Sequence, residues 1–144
     1  MALEHASCIA LGGKAVLIRG PSGSGKSDLA LRLIDGGAEL LADDYTLLTR
    51  DGEQLIAAPP DKIAGRIEVR GVGLVCMPPA SDLPVALVID LVGRDDVERL
   101  PAPRDTEIEG VRIPLLELWP FAASAAAKVR LVLEHPVENL EQNQ

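Results

Sequence analysis

The sequence predicts an α/β fold with a mixed sheet, and three observations support this prediction. Within the run Lys14–Arg19, residues 15–18 are continuously apolar, as in a strand buried on both faces. A glycine-rich loop at residues 20–27 follows it, and the residues up to 34 place apolar side chains along one helical face. A second apolar run at residues 84–92 supplies another central strand. We therefore expect a core of strand, loop and helix packed on a sheet.

Length and composition predict one cytoplasmic domain. A chain of 144 residues suits a single domain, assigned to residues 1–136, with a flexible tail at 137–144. The net charge of −8 argues against a nucleic-acid partner, because binding to phosphate backbones requires clustered Lys and Arg. No basic leader is present, and no apolar run reaches the roughly 18 residues of a membrane span. Cys8 and Cys76 lack metal-ligand spacing and suggest free thiols in a reducing compartment.

The first half of the chain predicts two hairpins on either side of the helix. Residues 6–11 form a strand that Gly12-Gly13 turns into the strand Lys14–Arg19. After the helix, Gly36-Gly37 supplies the C-terminal cap. Residues 45–49 and 53–58 flank Asp51-Gly52, which predicts a type I′ hairpin turn.

The second half is less regular. The segment IEVRGVGLV at residues 67–75 alternates charged and apolar residues and is then interrupted by two glycines, which suggests a close backbone approach. Residues 93–104 are charged and contain prolines, so they predict a surface connection. Residues 107–114 predict a hairpin around Glu109-Gly110, and residues 122–133 predict a helix that ends before Pro136.

The glycine-rich loop matches the pattern G-x-x-x-x-G-K-[ST] of a phosphate-binding loop, the P-loop or Walker A motif. Glycines allow backbone N–H groups to curl around phosphate oxygens, the lysine reaches the outer phosphates, and the final hydroxyl can ligate Mg²⁺. ATP and Mg²⁺ are therefore the expected cofactors, although a glycine-rich turn that binds nothing is the alternative. The candidate binding residues are Gly20, Pro21, Ser22, Gly23, Ser24, Gly25, Lys26 and Ser27.

Two carboxylates end the predicted strand at residues 39–44. Ligands of open α/β sheets collect at the carboxyl ends of strands, so Asp43 and Asp44 are expected beside the phosphates. One could hold Mg²⁺ or its waters and the other could accept a proton from an incoming hydroxyl. The alternative for such a pair is a turn or a helix cap.

The loop, the ADD strand end and the segment IEVRGVGLV together resemble the catalytic domain of the bacterial HPr kinase/phosphorylase family. That family combines a phosphate loop with an ADD motif and a signature similar to LEIRGLGI. The resemblance covers roughly residues 5–100. It implies a P-loop fold of the HPr kinase / phosphoenolpyruvate carboxykinase type. It also implies an ATP-dependent kinase that phosphorylates a serine of an HPr-like phosphocarrier protein in a phosphotransferase system.

The resemblance assigns catalytic roles to four residues besides the loop. His5, which by spacing alone is more typical of a solvated histidine, matches the family's active-site histidine. Asp43 and Asp44 match the acidic pair that supplies the base for the acceptor serine. Arg99 is similar to the family's catalytic-domain arginine.

The same resemblance assigns the nucleotide and metal contacts. Lys26 matches the phosphate-binding, catalytic lysine, and Ser27 matches a Mg²⁺ ligand. Glu68, within the signature, matches a second metal-ligating carboxylate. The resemblance also implies a hexamer, so a homo-oligomer is expected. The apolar residues 115–121 are one candidate for its interface and equally a candidate groove for a partner protein.

Two departures from the family shape the expected function. Family members usually carry an N-terminal domain, whereas this sequence begins almost at the histidine, which suggests a short form. A P-V-x-P-G-R-N-like stretch linked to dephosphorylation is replaced here by residues 113–121, so kinase activity is favoured over phosphorylase activity. The alternatives are a nucleotide-sensing module without catalysis and a small-molecule phosphotransferase.

Overall fold

A mixed sheet forms the centre of the molecule in the computed structural model, which describes residues 1–137. Within those residues the chain forms eleven strands and two α-helices. The strands are β1 (Ala2–Glu4), β2 (Ala6–Leu11), β3 (Lys14–Arg19), β4 (Glu39–Ala42), β5 (Thr46–Asp51), β6 (Gln54–Ala58), β7 (Arg66–Val69), β8 (Gly73–Cys76), β9 (Leu83–Leu91), β10 (Arg104–Ile108) and β11 (Val111–Leu118). The helices are α1 (Lys26–Asp35) and α2 (Ala125–Glu134), with 3-10 turns at Asp61–Ile63 and Arg94–Asp96.

Three parallel strands end at the same edge of the sheet. In the nine-stranded sheet of the described residues, β9 lies between β3 and β11 and is parallel to both. The carboxyl ends of these strands therefore meet at one edge, where loops of α/β proteins bind ligands. Arg19 lies opposite Asp90 in the register, so the glycine-rich loop leaves the sheet directly beside the end of β9. β7 and β8 form a separate two-stranded sheet.

Both faces of the central strands are buried, but different elements cover them. Ile9, Val16 and Ile18 point to the face that α1 and α2 cover through Leu29, Leu33 and Val129. The alternate residues, including Cys8 and Leu17, point to the other face. There they pack against residues of the remaining strands: Leu41, Leu48, Leu55, Val88, Ile108 and Ile113. The predicted mixed α/β fold is confirmed, with the second face covered by strands.

The predicted hairpins agree with the structure in two cases out of three. Gly12-Gly13 has φ values of 60° and 76°, and Glu109-Gly110 has values of 52° and 79°, as hairpin turns with two left-handed residues require. The prediction at Asp51-Gly52 is wrong in register. Asp51 pairs with Gln54, so Gly52 and Glu53 form the turn and Gly52 alone has a positive φ, of 62°.

Two other segments differ in detail from their predicted structure. The segment 67–75 is a hairpin of β7 and β8, with Gly71 and Gly73 at φ values of 84° and 125°. The C-terminal helix begins at Ala125, three residues later than expected. Neither α-helix of the described residues 1–137 is long and apolar enough to cross a membrane. The single-domain assignment stays a prediction, and residues 138–144 of the expected tail lie outside the described residues.

Candidate functional site

The glycine-rich loop joins β3 to α1 in a conformation that only glycines allow at several positions. Gly23 and Gly25 have φ values of 81° and 103°, in the left-handed region that side chains disfavour. A Cβ atom at Gly20 would lie 2.5 Å from Oγ of Ser24. The Ser24 N–H donates to the carbonyl of Pro21 at 3.0 Å and tightens the loop. Glycine is therefore required at these positions of the loop because a side chain would clash or strain the backbone.

The loop ends at the N-terminus of α1, which is favourable for anions. α1 begins at Lys26, so the first N–H groups of the helix face the loop and carry the positive end of the helix dipole. Ser24 Oγ is buried and is the one buried side-chain polar atom of the described residues without a hydrogen-bond partner. The donors available to an anionic ligand are therefore the N–H groups at the start of α1, since Ser24 does not line the neighbouring cleft.

Lys26 is buried within the loop and only 5% exposed. Its Nζ donates to the carbonyls of Gly20 at 2.6 Å and Pro21 at 3.1 Å. These neutral acceptors solvate the ammonium group without cancelling its charge. The lysine charge is consequently fixed inside the curve of the loop.

Asp43 connects the loop helix to two other elements. The side chain is buried, and its Oδ1 accepts hydrogen bonds from Ser27 at 2.6 Å and Ser7 at 3.1 Å. Its Oδ2 accepts from the backbone N–H of Glu68 at 3.2 Å. One carboxylate thus fixes the last residue of the loop, strand β2 and the β7–β8 hairpin relative to one another.

Asp44 follows directly but has a different environment. Its φ of 65° places it in the left-handed region, which Asp tolerates better than most residues, and its side chain is exposed. It lines a cleft of about 590 Å³ together with Lys26, Ser27 and Glu68. The acidic pair is therefore divided into a buried structural carboxylate and an exposed one in the cleft.

The donors in the cleft suit a cation that is shared with a ligand. The described residues contain no cluster of three or more His, Cys, Asp or Glu side chains that could hold a metal alone. Mg²⁺ is usually bound through one or two carboxylates together with substrate phosphates and water. A hydroxyl at Ser27, fixed by Asp43, and a carboxylate at Glu68 fit that kind of site.

Two predicted catalytic residues lie away from the cleft lining. His5 is exposed in the bend between β1 and β2, and its ring centroid is 5.1 Å from that of Tyr45, the residue after Asp44. Arg99 is exposed in the segment that follows the second 3-10 turn. Neither is among the described residues that line the cleft, and their predicted roles stay predictions.

Sequence reasoning missed several residues that shape the site. Ser7 is the single polar residue in the otherwise apolar strand β2, and that contrast could have marked it as a partner of a buried group. Arg19 and Asp90 form a bidentate ion pair at 2.7 and 3.0 Å where β3 and β9 end. Phe121 lines the cleft beside Gly25, although 96 residues separate them in sequence, and no local pattern indicates this contact.

Neither cysteine belongs to the cleft. Cys8 is buried in the sheet, and burial raises the pKa of its thiol far above its ordinary value near 9.0. Cys76 is exposed at the end of β8. A protonated, buried Cys8 is chemically inert, as expected for a core residue.

Comparisons with known proteins connect this geometry to a family. The family model described as HPr Serine kinase C-terminal domain matches residues 1–144. The HPr kinase/phosphorylase of Chlorobium phaeobacteroides (strain BS1) is 34% identical over 126 residues, which cover 79% of this chain and 37% of that protein. The one from Chlorobium limicola (strain DSM 245 / NBRC 103803 / 6330) is 35% identical over 138 residues, with 87% and 42% covered. The chain thus spans about two fifths of these curated relatives.

A solved structure of an HPr kinase has the same fold as this chain. The Hpr(Ser) kinase/phosphatase from Coxiella burnetii superimposes with a TM-score of 0.82 and 27% sequence identity, and 100% of each chain is covered. The mixed α/β fold described above is therefore that of an HPr kinase structure. Since the family model matches the whole length, the chain belongs to the HPr serine kinase C-terminal domain family.

Proposed function

We propose that this chain is an ATP-dependent serine kinase domain whose acceptor is HPr or an HPr-like phosphocarrier protein. The observation that carries the proposal is the common cleft of Lys26, Ser27 and the exposed Asp44, backed by the buried Asp43. This set provides a cation for phosphate charge, a hydroxyl for a metal and an accessible carboxylate for a proton. Family membership supports the choice of a kinase, and the relatives' names support HPr as the acceptor.

The loop residues bind and orient the nucleotide in this proposal. Backbone N–H groups of Ser22, Gly23 and Gly25 and those at the start of α1 would surround the phosphates, and Lys26 would neutralise charge on the outer phosphates. Ser27 and Glu68 would hold Mg²⁺, with Asp43 orienting the Ser27 hydroxyl through its 2.6 Å hydrogen bond. ATP with Mg²⁺ supplies an activated phosphoryl group with part of its charge neutralised.

We assign the general base to Asp44. Both Asp43 oxygens already accept hydrogen bonds from the protein, so Asp43 has little capacity to take a proton from a seryl hydroxyl. Asp44 is exposed in the cleft and can approach an acceptor side chain that enters from solvent. Its carboxylate would take the hydroxyl proton as the bond from the seryl oxygen to the γ-phosphorus forms, while the bond from that phosphorus to the bridging oxygen breaks and ADP leaves.

The biological setting belongs to the same proposal. The net charge of −8 supports a protein acceptor over nucleic acid, because clustered basic residues are needed for nucleic acid. A cytoplasmic location and a homo-oligomer, by resemblance a hexamer, complete the expectation. Kinase activity is favoured over reverse phosphorylase activity, because residues 113–121 stand where the family has a P-V-x-P-G-R-N-like stretch linked to dephosphorylation. Whether phosphoserine is also removed is left open by this proposal.

The decisive experiment is phosphotransfer from labelled ATP with Mg²⁺ to a purified HPr-type protein. The native chain is compared with Lys26→Ala, Asp44→Asn and Asp51→Asn, the last being a matched control on an exposed strand residue outside the cleft. We expect label on a serine with the native chain and Asp51→Asn. We expect at least about a hundredfold slower transfer with the other two, since each removes on the order of 3 kcal/mol of transition-state stabilisation.

Other outcomes identify the alternatives. ATP binding without label on any HPr-type acceptor would replace the kinase by a nucleotide-sensing module. Label on a small metabolite instead of the protein would indicate a phosphotransferase similar to phosphoenolpyruvate carboxykinase. Undiminished transfer by Asp44→Asn would show that Asp44 is not the base.

A further inference from the structure

Phe121 occupies an unusual position for a large apolar residue. Its side chain is 60% exposed, yet it lines the same cleft as Lys26 and Ser27. A Cβ atom on Gly25 would lie 3.3 Å from Cζ of this ring, so the ring edge packs directly on the loop backbone. Because exposing so large an apolar ring beside the glycine-rich loop is unfavourable, a ligand that covers the ring would explain its position.

The backbone on both sides of Phe121 is fixed by the loop helix itself. Arg32 of α1 donates to the carbonyl of Pro120 through Nη2 and to the carbonyl of Ala122 at 3.4 Å through Nη1. Its Nε donates to Asp28, which also lines the cleft, at 3.1 Å. A single guanidinium thus holds the carbonyls of the residues before and after Phe121 and ties them to α1.

A second aromatic residue supports the ring from behind. Trp119 packs edge to face with Phe121 at a centroid distance of 6.3 Å, and the guanidinium carbon of Arg94 lies 5.5 Å from the centroid of the tryptophan ring. Pro120 is buried against the loop, 3.3 Å from the same Cβ position on Gly25. The exposed ring is consequently preorganised and presents its accessible surface to the cleft.

The cleft has polar and apolar lining in different places along α1. Lys26 and Ser27 open the helix, whereas Leu31 lines the cleft about 7.5 Å further along the axis at 1.5 Å per residue. Ligand sites typically combine a few polar anchors with an apolar or aromatic wall. A ligand with phosphates at one end and a flat apolar group at the other would match this distribution.

We propose that Phe121, with Leu31, forms the subsite for the purine ring of the nucleotide. This inference rests on the proposed function, because it uses the loop as the phosphate site. The ring stacks on the purine, and Arg32 acts as a positioning residue that keeps the ring in place. Stacking recognises any π-face, so we expect ATP and GTP to be bound with similar affinities.

The test separates the base from the phosphates by comparing ATP with inorganic tripolyphosphate, each with Mg²⁺, in calorimetric titrations of the native chain and its variants. Phe121→Ala is expected to weaken ATP binding roughly fivefold to a hundredfold, the range for one stacked base, and to leave tripolyphosphate binding unchanged. Phe121→Tyr keeps the ring and restores ATP affinity. Leu131→Ala, at a 55% exposed position on α2, is the control for loss of an exposed apolar side chain.

Each of the other outcomes of these titrations refutes either the purine subsite or the proposed function. Unchanged ATP affinity in Phe121→Ala refutes the purine subsite and leaves the ring free for an apolar group of the acceptor protein. Equal weakening of both ligands shows that the ring only shapes the loop and also refutes the subsite. Tripolyphosphate binding without any preference for ATP in the native chain refutes the subsite but keeps the phosphate loop. Binding of neither ligand by the native chain refutes the proposed function itself.

Discussion

The buried carboxylate of Asp43 offers the sharpest test of how the site is held together. It accepts three hydrogen bonds, from the hydroxyls of Ser7 and Ser27 and from the backbone N–H of Glu68. Asp43→Ala removes both acceptor oxygens and therefore all three hydrogen bonds at once. The hydroxyls can turn toward other acceptors, but the backbone N–H is fixed by the β7–β8 hairpin.

The expected loss follows from the cost of unsatisfied donors. The Glu68 N–H is partly buried, so leaving it without a partner costs about 1 kcal/mol, the lower end of the range for a buried donor, and two further charge-assisted bonds are lost. Asp43→Ala should therefore destabilise the fold by about 2–4 kcal/mol. For a chain of this size that corresponds to a fall in melting temperature of roughly 5–15 °C.

Asp43→Asn is the matched control. With its amide oxygen toward the Glu68 N–H, its NH₂ group can donate to the two serine hydroxyls, so every group keeps a partner. We expect a loss below about 1 kcal/mol, because a satisfied isosteric replacement leaves no orphaned donor. The phosphotransfer proposed above should nevertheless fall in both variants, since both remove the charge behind Ser27.

Urea unfolding at pH 7 measures both variants, with fluorescence of Trp119, the sole tryptophan, as the probe. Asp51→Asn, on the exposed end of β5, should match the native chain. The account of Asp43 would be refuted by an Asp43→Ala variant as stable as the native chain. An Asp43→Asn variant as unstable as Asp43→Ala would refute it equally.

Three further predictions concern the loop, the sheet edge and the core. Gly25→Ala should destabilise the fold by about 1–2 kcal/mol more than Gly23→Ala in urea unfolding, because both are left-handed but only Gly25 has neighbours 3.3 Å from a new Cβ; equal losses would mean that these contacts do not matter. A double-mutant cycle of Arg19→Ala and Asp90→Ala should give a coupling of about 0.5–1.5 kcal/mol for the partly exposed bidentate pair, and a value near zero would contradict its positioning role. Burial raises the pKa of Cys8, so above about pH 9 the unfolded chain releases a proton that the folded chain keeps, and stability should fall by up to about 1.4 kcal/mol per pH unit. Cys8→Ala should show a shallower decline between about pH 9 and 10.5 in the same assay, and an identical slope would exclude this thiol as its source.

Local patterns predicted the parts of the fold that depend on local physics. Continuous apolar runs identified β3 and β9, and the glycine pair at 12 and 13 identified the first hairpin, because strand burial and left-handed turns leave direct signals in sequence. The Asp51-Gly52 prediction failed in register, since flanking strand pairing decides which residue of the pair enters the turn.

The candidate site was predicted only in its local part. The loop and the acidic pair are adjacent along the chain to the strands that present them, so the sequence indicated both. The different environments of Asp43 and Asp44 depend on Ser7 and on the β7–β8 hairpin, which approach only in three dimensions. The position of Phe121 on the loop is likewise a tertiary contact without a local signature.

The hydrogen bond between Arg32 and the carbonyl of Pro120 joins residues that are 88 positions apart in sequence, and this separation has a consequence for biosynthesis. Contacts between distant segments form late, because the intervening chain must first be ordered. On the ribosome, the loop and α1 emerge long before the residues that wall the cleft. A nascent chain halted before residue 119 would therefore display the loop without Phe121. If the proposed purine subsite holds, such a chain would bind ATP more weakly than the full chain, whereas its loop could already bind phosphates.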